Sequence, residues 1–293
     1  MSDRSLPVDL MDQEIDAICS RYKISSVQAR EVIDACFGKQ PKLLDRIEQE
    51  QAAQDVTRWK DYRRTIKEVR KQVYYRLRRY HADREAEARL REELGQHIAS
   101  GSESETRGII DDLAGLHVST RERAPHLADF HARILSEIGE PRSILDIGCG
   151  YHPLTFPFTE SLLRYVAQEK DVETCETMEV FAPAAQPTEL VTVCGSFTET
   201  DFPALVPKGE SRFDVAFLFK LVPVIARSDP NALQALADLP VERFVLTASM
   251  EAMTRTQDVS RREDRVLRTF IEQTGRTQVD RFEIGNELGY FVR

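Results

Sequence analysis

The stretch Ser143-Ile-Leu-Asp-Ile-Gly-Cys-Gly-Tyr-His-Pro-Leu154 constrains the fold more than any other part of this 293-residue chain. A short apolar run carrying one acid, Asp146, leads into two glycines separated by a single residue, Gly148 and Gly150. The run reads as a buried strand, and the glycines as a tight turn that brings the backbone close to a ligand. The third glycine of a dinucleotide fingerprint is absent, and Pro153 stands where it would fall. An ordinary strand-to-helix connection is the plain alternative.

Downstream, short apolar segments alternate with helical ones. Strands are expected at Tyr165–Gln168, Leu190–Cys194, Asp214–Phe219 and Arg243–Thr247, and a closing pair at Val279–Ile284 and Leu288–Val292. Helices are expected at Pro125–Ile138, Asn231–Ala237 and Arg261–Thr274. This alternation predicts a parallel sheet with helices on both faces.

The first hundred residues read as helical instead, with pieces at Asp12–Ser20 and at Ser26–Phe37, the latter behind a Ser25/Ser26 cap. From Val56 to His81, Trp59, Tyr62, Ile66, Val69, Val73, Leu77 and Tyr80 recur every three or four residues, which builds one apolar stripe. Between Thr57 and His81 ten basic residues face two acidic ones, a local balance of +8 inside a chain of net charge −9. Overall acidity therefore does not exclude a polyanionic partner. Arg63, Arg64, Lys67, Arg70, Lys71, Arg76, Arg78 and Arg79 are the expected phosphate contacts, with Tyr74 and Tyr75 placed to stack on bases. A solvated helix face with core tyrosines is the competing reading. A charged helix from Arg84 to Ala99 follows, and Ser100-Gly-Ser-Glu-Ser-Glu-Thr106 is expected to be a linker or an exposed loop. The expected domains are 1–105, helical and RNA-binding, and 106–293, catalytic.

Hydrophobic content of 41% and charged content of 30% suit a soluble globular protein, with no apolar run long enough to span a membrane. Five cysteines without paired or zinc-type spacing read as reduced thiols in a cytoplasmic protein.

An acid before a Gly-x-Gly turn resembles the first loop of methyltransferases that bind S-adenosylmethionine (SAM). Glu169, nineteen residues after Gly150 at the end of the next expected strand, is placed to accept hydrogen bonds from both ribose hydroxyls, with Asp171 as the fallback. The Asn/Asp-Pro-Pro-aromatic loop used for exocyclic amines is missing after the fourth strand, where Phe219-Lys-Leu-Val-Pro223 stands. No cysteine occupies a catalytic-looking loop for carbon methylation. A target with its own lone pair, such as guanine N7, remains.

Four ordered segments together resemble the 16S ribosomal RNA (guanine-N7) methyltransferases of aminoglycoside producers and resistant bacteria. His117-Val-Ser-Thr-Arg-Glu-Arg123 resembles the family's His-x-Ser-Thr-x-Glu-Arg stretch, and Ser143–Leu154 its Asp-x-x-Cys-Gly-x-x-Pro-Leu loop. Phe213–Val224 resembles the Phe-x-Lys-x-x-Pro segment, and Ile284-Gly-Asn-Glu-Leu288 the closing strand. The resemblance implies a Rossmann-like class I SAM methyltransferase, with a mostly parallel seven-stranded sheet and an antiparallel last strand, behind an all-helical N-terminal domain. It implies that Arg121 or Arg123 holds the SAM carboxylate and that Lys220 and Leu221 lie beside the methyl donor and target base. Asp146, Gly148, Gly150, Glu169 and Lys220 complete the implied cofactor set. It also implies a metal-free monomer that methylates guanine 1405 of 16S rRNA within the 30S subunit, with the guanine flipped out.

The chain departs from the family after the fifth strand, where Leu246-Thr-Ala-Ser-Met-Glu-Ala-Met-Thr-Arg-Thr256 replaces Phe-Pro-Thr-(Lys/Arg)-Ser-Leu. Arg255, Arg261 and Arg262 restore part of the charge, and Glu169-Lys-Asp171 stands for Asp-Ile-Asp. A methyltransferase of another RNA or of a small molecule, and a non-catalytic RNA-binding protein, are the alternatives.

Overall fold

A computed structural model describes residues 5–22, 24–50, 55–77, 84–252 and 257–293, with the backbone only at 75–77. The chain forms two compact units, one of residues 1–79 with 251–258, the other of 80–250 with 259–293.

The first unit is helical: α1 (Val8–Cys19), α2 (Ser26–Phe37), α3 (Pro41–Glu50) and α4 (Lys60–Leu77). Ser25 caps α2 through a reciprocal pair with Gln28. The expected stripe on α4 is buried at Tyr62, Ile66, Val69 and Val73, in one core with Met11, Ile18, Ile33 and Phe37. Trp59 is only partly buried and lies under the Arg46 guanidinium, 4.0 Å from its ring centre.

The second unit opens with α5 (Arg84–Ser100), α6 (Glu103–Leu116), α7 (Val118–Arg123) and α8 (Leu127–Ile138). Then β1 (Ser143–Ile147), α9 (His152–Thr155), β2 (Arg164–Glu169), α10 (Val172–Phe181), β3 (Glu189–Cys194) and β4 (Phe213–Phe219) follow. The chain closes with α11 (Leu221–Ser228), α12 (Leu233–Ala237), β5 (Val241–Ser249), α13 (Ser260–Thr274), β6 (Gln278–Ile284) and β7 (Glu287–Val292). One sheet runs β3-β2-β1-β4-β5-β7-β6, parallel through the first five, with β7 antiparallel to β5 and to β6.

The near-continuous apolar runs of β1 and β4 reflect burial on both faces. Ile144, Tyr165 and Phe217 pack with Leu94, Leu113, Phe130 and Met178 of the helices on one face. Leu145, Ile147 and Leu218 pack with Leu236, Leu267 and Phe270 on the other. Because strand neighbours alternate faces, Asp146 points to the first layer, with Ile144. Strand order reverses between β1 and β4, and the crevice beyond their carboxyl ends is where an open α/β sheet binds ligands.

The unit boundary differs from the expected one at 105/106. Ser100–Thr106 is no linker: Gly101, at φ +72, ends α5 and α6 starts two residues later, at Glu103. The small polar cluster is a helix stop followed by a helix start. Leu94, Ile109 and Leu113 of these two helices belong to the core over the sheet.

Candidate active site

The turn after β1 is left-handed at both glycines, φ +64 at Gly148 and +52 at Gly150. A Cβ at Gly148 would lie 3.2 Å from Leu221 Cδ1, and one at Gly150 would lie 2.7 Å from His117 Cε1. Neither position tolerates a side chain. The Gly148 and Cys149 amides donate to the Gln168 carbonyl at 2.9 and 3.1 Å, which pins the turn to the end of β2. The Gly150 amide donates to Glu169 Oε2 at 3.1 Å, and the Lys170 and Asp171 amides donate to Oε1 at 2.8 and 3.2 Å. Glu169 is thus bound to the glycine turn through backbone donors. Asp171, the fallback acid, instead caps α10 by accepting from the Thr174 amide at 3.1 Å, and it pairs with Arg84 at 3.3 Å. The Cys149 thiol is buried, and burial first, then Asp146 and Glu169, push its pKa well up, so it is a packing group rather than a nucleophile.

Below the turn, Asp146 is buried among polar side chains. Its Oδ2 accepts from Tyr165 Oη at 2.6 Å and from His152 Nδ1 at 2.8 Å. His152 Nε2 lies 3.3 Å from His131 Nε2. With His152 donating through Nδ1, its Nε2 accepts, and His131 must hold its proton on Nε2; this tautomer assignment follows from the network. Burial is the main force lowering both imidazoles. It takes His131, which also faces His152 and Arg123, to about 3, and it outweighs the upward pull of Asp146 on His152. Asp146 Oδ1 is buried and has no hydrogen-bond partner among the described residues. An unpaired buried acceptor costs about 1–3 kcal/mol, so this oxygen fits a donor brought by a ligand.

Across the crevice, Lys220 has φ +57, the sole positive φ outside glycine among the described residues. Its amide donates to the Thr247 carbonyl at 3.0 Å and to Thr247 Oγ1 at 3.1 Å. Such backbone persists only where its surroundings hold it, and it concentrates at working sites. Lys220 Nζ lies 2.9 Å from Glu122 and 3.4 Å from Glu287. Arg123 Nε and Nη2 donate to the two Glu287 oxygens at 2.8 and 3.0 Å, and Thr247 Oγ1 donates to Oε2 at 2.8 Å. The Arg123 guanidinium also lies 4.2 Å from the Phe130 ring centre and 5.0 Å from that of Phe219. Burial alone would raise the Glu287 carboxyl, but Arg123 and Lys220 hold it down at about 2.

The expected residues thus divide. Asp146, Gly148, Gly150, Glu169, Lys220 and Leu221 gather at the carboxyl ends of β1, β2 and β4. Arg123 is committed to Glu287 through two nitrogens, with Nη1 left over. Arg121 is exposed, with no ion pair among the described residues. Glu122 and Glu287 had a signal in the motifs around them, and His152 lay in the glycine segment itself. Thr247, Tyr165 and His131 had none, because only the sheet and α8 bring them in.

In the helical unit, Arg63, Arg64, Lys67, Arg70 and Lys71 are all exposed. Arg64 pairs with Asp61 at 3.0 Å and Lys71 with Glu68 at 3.8 Å. Lys60, Arg63, Lys67 and Arg70 make no ion pair among the described residues, and their spacing puts them on one face of α4. The Arg76 side chain, Arg78, Arg79 and Arg255 lie outside the described residues.

A sheet of this order, with a glycine turn and an acid at the switch point, defines the class I methyltransferase fold. The model of the ribosomal RNA methyltransferase (FmrO) family matches residues 40–291, and the chain belongs to that family. A 16S rRNA (guanine(1405)-N(7))-methyltransferase of Micromonospora echinospora is 26% identical over 211 residues, covering 70% of this chain and 73% of the relative. One from Proteus mirabilis is 26% identical over 186 residues, covering 61% and 63%. The solved 16S rRNA methylase ArmA matches with TM-score 0.51 and 25% identity over 69% of this chain and 96% of its own. The methyltransferase RmtF in complex with S-adenosyl-L-homocysteine (SAH) has the same fold, with TM-score 0.57 and 20% identity over 100% of this chain and 99% of its own.

Replacing Glu287 with Ala leaves Arg123 buried without its partner and is expected to destabilise the second unit by about 3–5 kcal/mol, measured by urea unfolding. A second expectation concerns acid. The unfolded chain protonates His131 and His152 near 6.5 whereas the fold keeps them neutral, so stability falls as pH drops below 6.5, for His131 down to about 3. The slope is about 1.4 kcal/mol per pH unit per histidine. Glu287, depressed from 4.5 to about 2, adds its loss only below 4.5. Unfolding midpoints at pH 7.5 and 5.5 should therefore converge in His131→Leu relative to the parent; an unchanged pH dependence contradicts the neutral pair.

Proposed function

We propose that the chain transfers the methyl group of SAM to N7 of a guanine in 16S rRNA of the 30S subunit, at the position modified by its relatives, guanine 1405. The observation that carries this is an Asp146 oxygen unpaired among the described residues, below a glycine turn at the switch point where Lys220 also holds a left-handed backbone, in a member of an rRNA methyltransferase family.

The residues present fit SAM. Asp146 Oδ1 would accept from its ammonium group, Gly148 and Gly150 would let its amino-acid end approach the backbone, and Glu169 would accept from the ribose hydroxyls. Arg123 Nη1, or the exposed Arg121, would hold its carboxylate. SAM supplies the electrophilic methyl on its sulfonium. The N7 lone pair is itself the nucleophile, so the protein's task is alignment and exclusion of water rather than proton transfer. Lys220, held between two carboxylates, and Leu221, packed against Gly148, border the place of the methyl and the base. The α4 cations with no acidic partner among the described residues, Lys60, Arg63, Lys67 and Arg70, would meet rRNA phosphates. In this reading the chain acts as a monomer, and the modification is of the kind linked to aminoglycoside resistance.

Incubation of 30S subunits with labelled SAM, followed by aniline cleavage and primer extension, should stop at one guanine. A stop elsewhere overturns the position, and no incorporation overturns the activity. Charge reversal at Arg63 and Arg70 should weaken 30S binding and reduce its salt slope by about 1 per lost phosphate contact, with SAH affinity unchanged. Reversal at the paired Arg64 and Lys71 should do less.

A further inference from the structure

Glu87 on α5 is fully buried, an unusual place for a carboxylate. The Tyr151 hydroxyl donates to it and also lies 3.3 Å from Thr177 Oγ1. Tyr151 directly follows Gly150 in the turn after β1. The same helix grips the loop after β2. Arg84 pairs with Asp171 at 3.3 Å and with Glu173 at 2.6 Å, while Arg91 donates to the Glu173 carbonyl at 3.2 Å and pairs with Glu176 at 3.0 Å. Glu169 joins the two loops from within, taking the Gly150 amide on one oxygen and the Asp171 amide on the other. The hydrogen bonds and chain therefore close a ring from α5 through Tyr151, Gly150, Glu169, Asp171 and Arg84 back to α5.

We propose that Glu87 is a positioning residue of the cofactor site, and that α5 straps together the loops after β1 and β2 in the arrangement that receives the cofactor. This rests on the SAM reading of the site. A buried carboxylate contributes less to stability than an apolar side chain of its volume. Its directional bond to Tyr151 is what an apolar residue cannot supply. Loops held in the bound geometry before binding lose less entropy on binding. Loosening Tyr151, which would lose the carboxylate while keeping Thr177, therefore lowers cofactor affinity. Turnover at saturating cofactor stays the same, because Glu87 touches neither the transferred methyl nor the RNA.

The test is calorimetry of the full chain with SAH, steady-state methylation of 30S subunits, and hydrogen exchange at the Gly150 and Asp171 amides of the ligand-free protein. Glu87→Ala and Tyr151→Phe should each weaken SAH binding about tenfold or more, the worth of one hydrogen bond to a charged group. The KM for SAM should rise in step, kcat and the KM for 30S should hold, and both amides should exchange faster. Glu87→Gln, which still accepts from Tyr151, should recover most of the affinity. Arg84→Ala, which removes a largely exposed side chain and opens no core cavity, should show a smaller loss in the same direction. Parental SAH affinity in folded Glu87→Ala overturns the proposal, as does a fall in kcat with KM for SAM unchanged. If Glu87→Ala does not fold, parental affinity in both Tyr151→Phe and Arg84→Ala overturns it. A parent chain that binds no SAH overturns the cofactor reading and this proposal together, and is told apart from failure of the proposal alone, which leaves parental binding intact.

Discussion

The Arg123–Glu287 pair joins residues 164 positions apart and holds the candidate site in shape. Each charge is buried, and neither is tolerable there without the other. Their pairing fixes the end of α7 against the start of β7, and Thr247 of β5 and Lys220 at the head of α11 complete the network. Phe130 and Phe219 sheathe the guanidinium, which excludes water and strengthens the electrostatics. Lys220 keeps its left-handed backbone because the Thr247 carbonyl and hydroxyl both accept its amide.

Two kinds of polar interior meet at the switch point. On the β4–β5–β7 side, two acids and two bases neutralise one another. On the β1–β2 side, Asp146 accepts from a phenol and from one neutral imidazole, itself backed by a second, and among the described residues one of its oxygens is unclaimed. One side is charge-balanced, whereas the other leaves a buried acid oxygen open to a donor. That asymmetry is what the proposed cofactor orientation, ammonium toward Asp146 and methyl toward Lys220, rests on.

The acidic net charge of the chain and its basic helix are not in conflict. Several of the acids in the second unit are spent on local work: Asp171 caps a helix, Glu169 gathers backbone amides, and Glu263 pairs with Arg227 and Arg262. On α4 Lys60, Arg63, Lys67 and Arg70, without ion pairs among the described residues, fall on one face beside the buried stripe, while Asp61 and Glu68 neutralise neighbours on another. Position along the helix, rather than total charge, decides which side is free to meet phosphate.

The sequence by itself determined the strands, the glycine turn and the apolar stripe of α4. Ser143–Ile147 and Ser26–Phe37 were legible to the residue, because apolar period and turn residues are local properties of the chain. It also marked Asp146 and Glu169, since each sits at a fixed offset from a glycine or a strand end, whereas Lys220 was marked through the resemblance of Phe213–Val224 to the family's segment. Tertiary structure alone decided which charges are shared. Nothing local joins Arg123 to Glu287, His131 to His152 or Glu87 to Tyr151, whose members lie on separate elements and meet through packing. It also decided that Ser100–Thr106 is a helix junction and not a linker. Small polar residues serve equally well as caps and as linkers, and only the burial of Leu94 and Ile109 on the sheet tells the two apart.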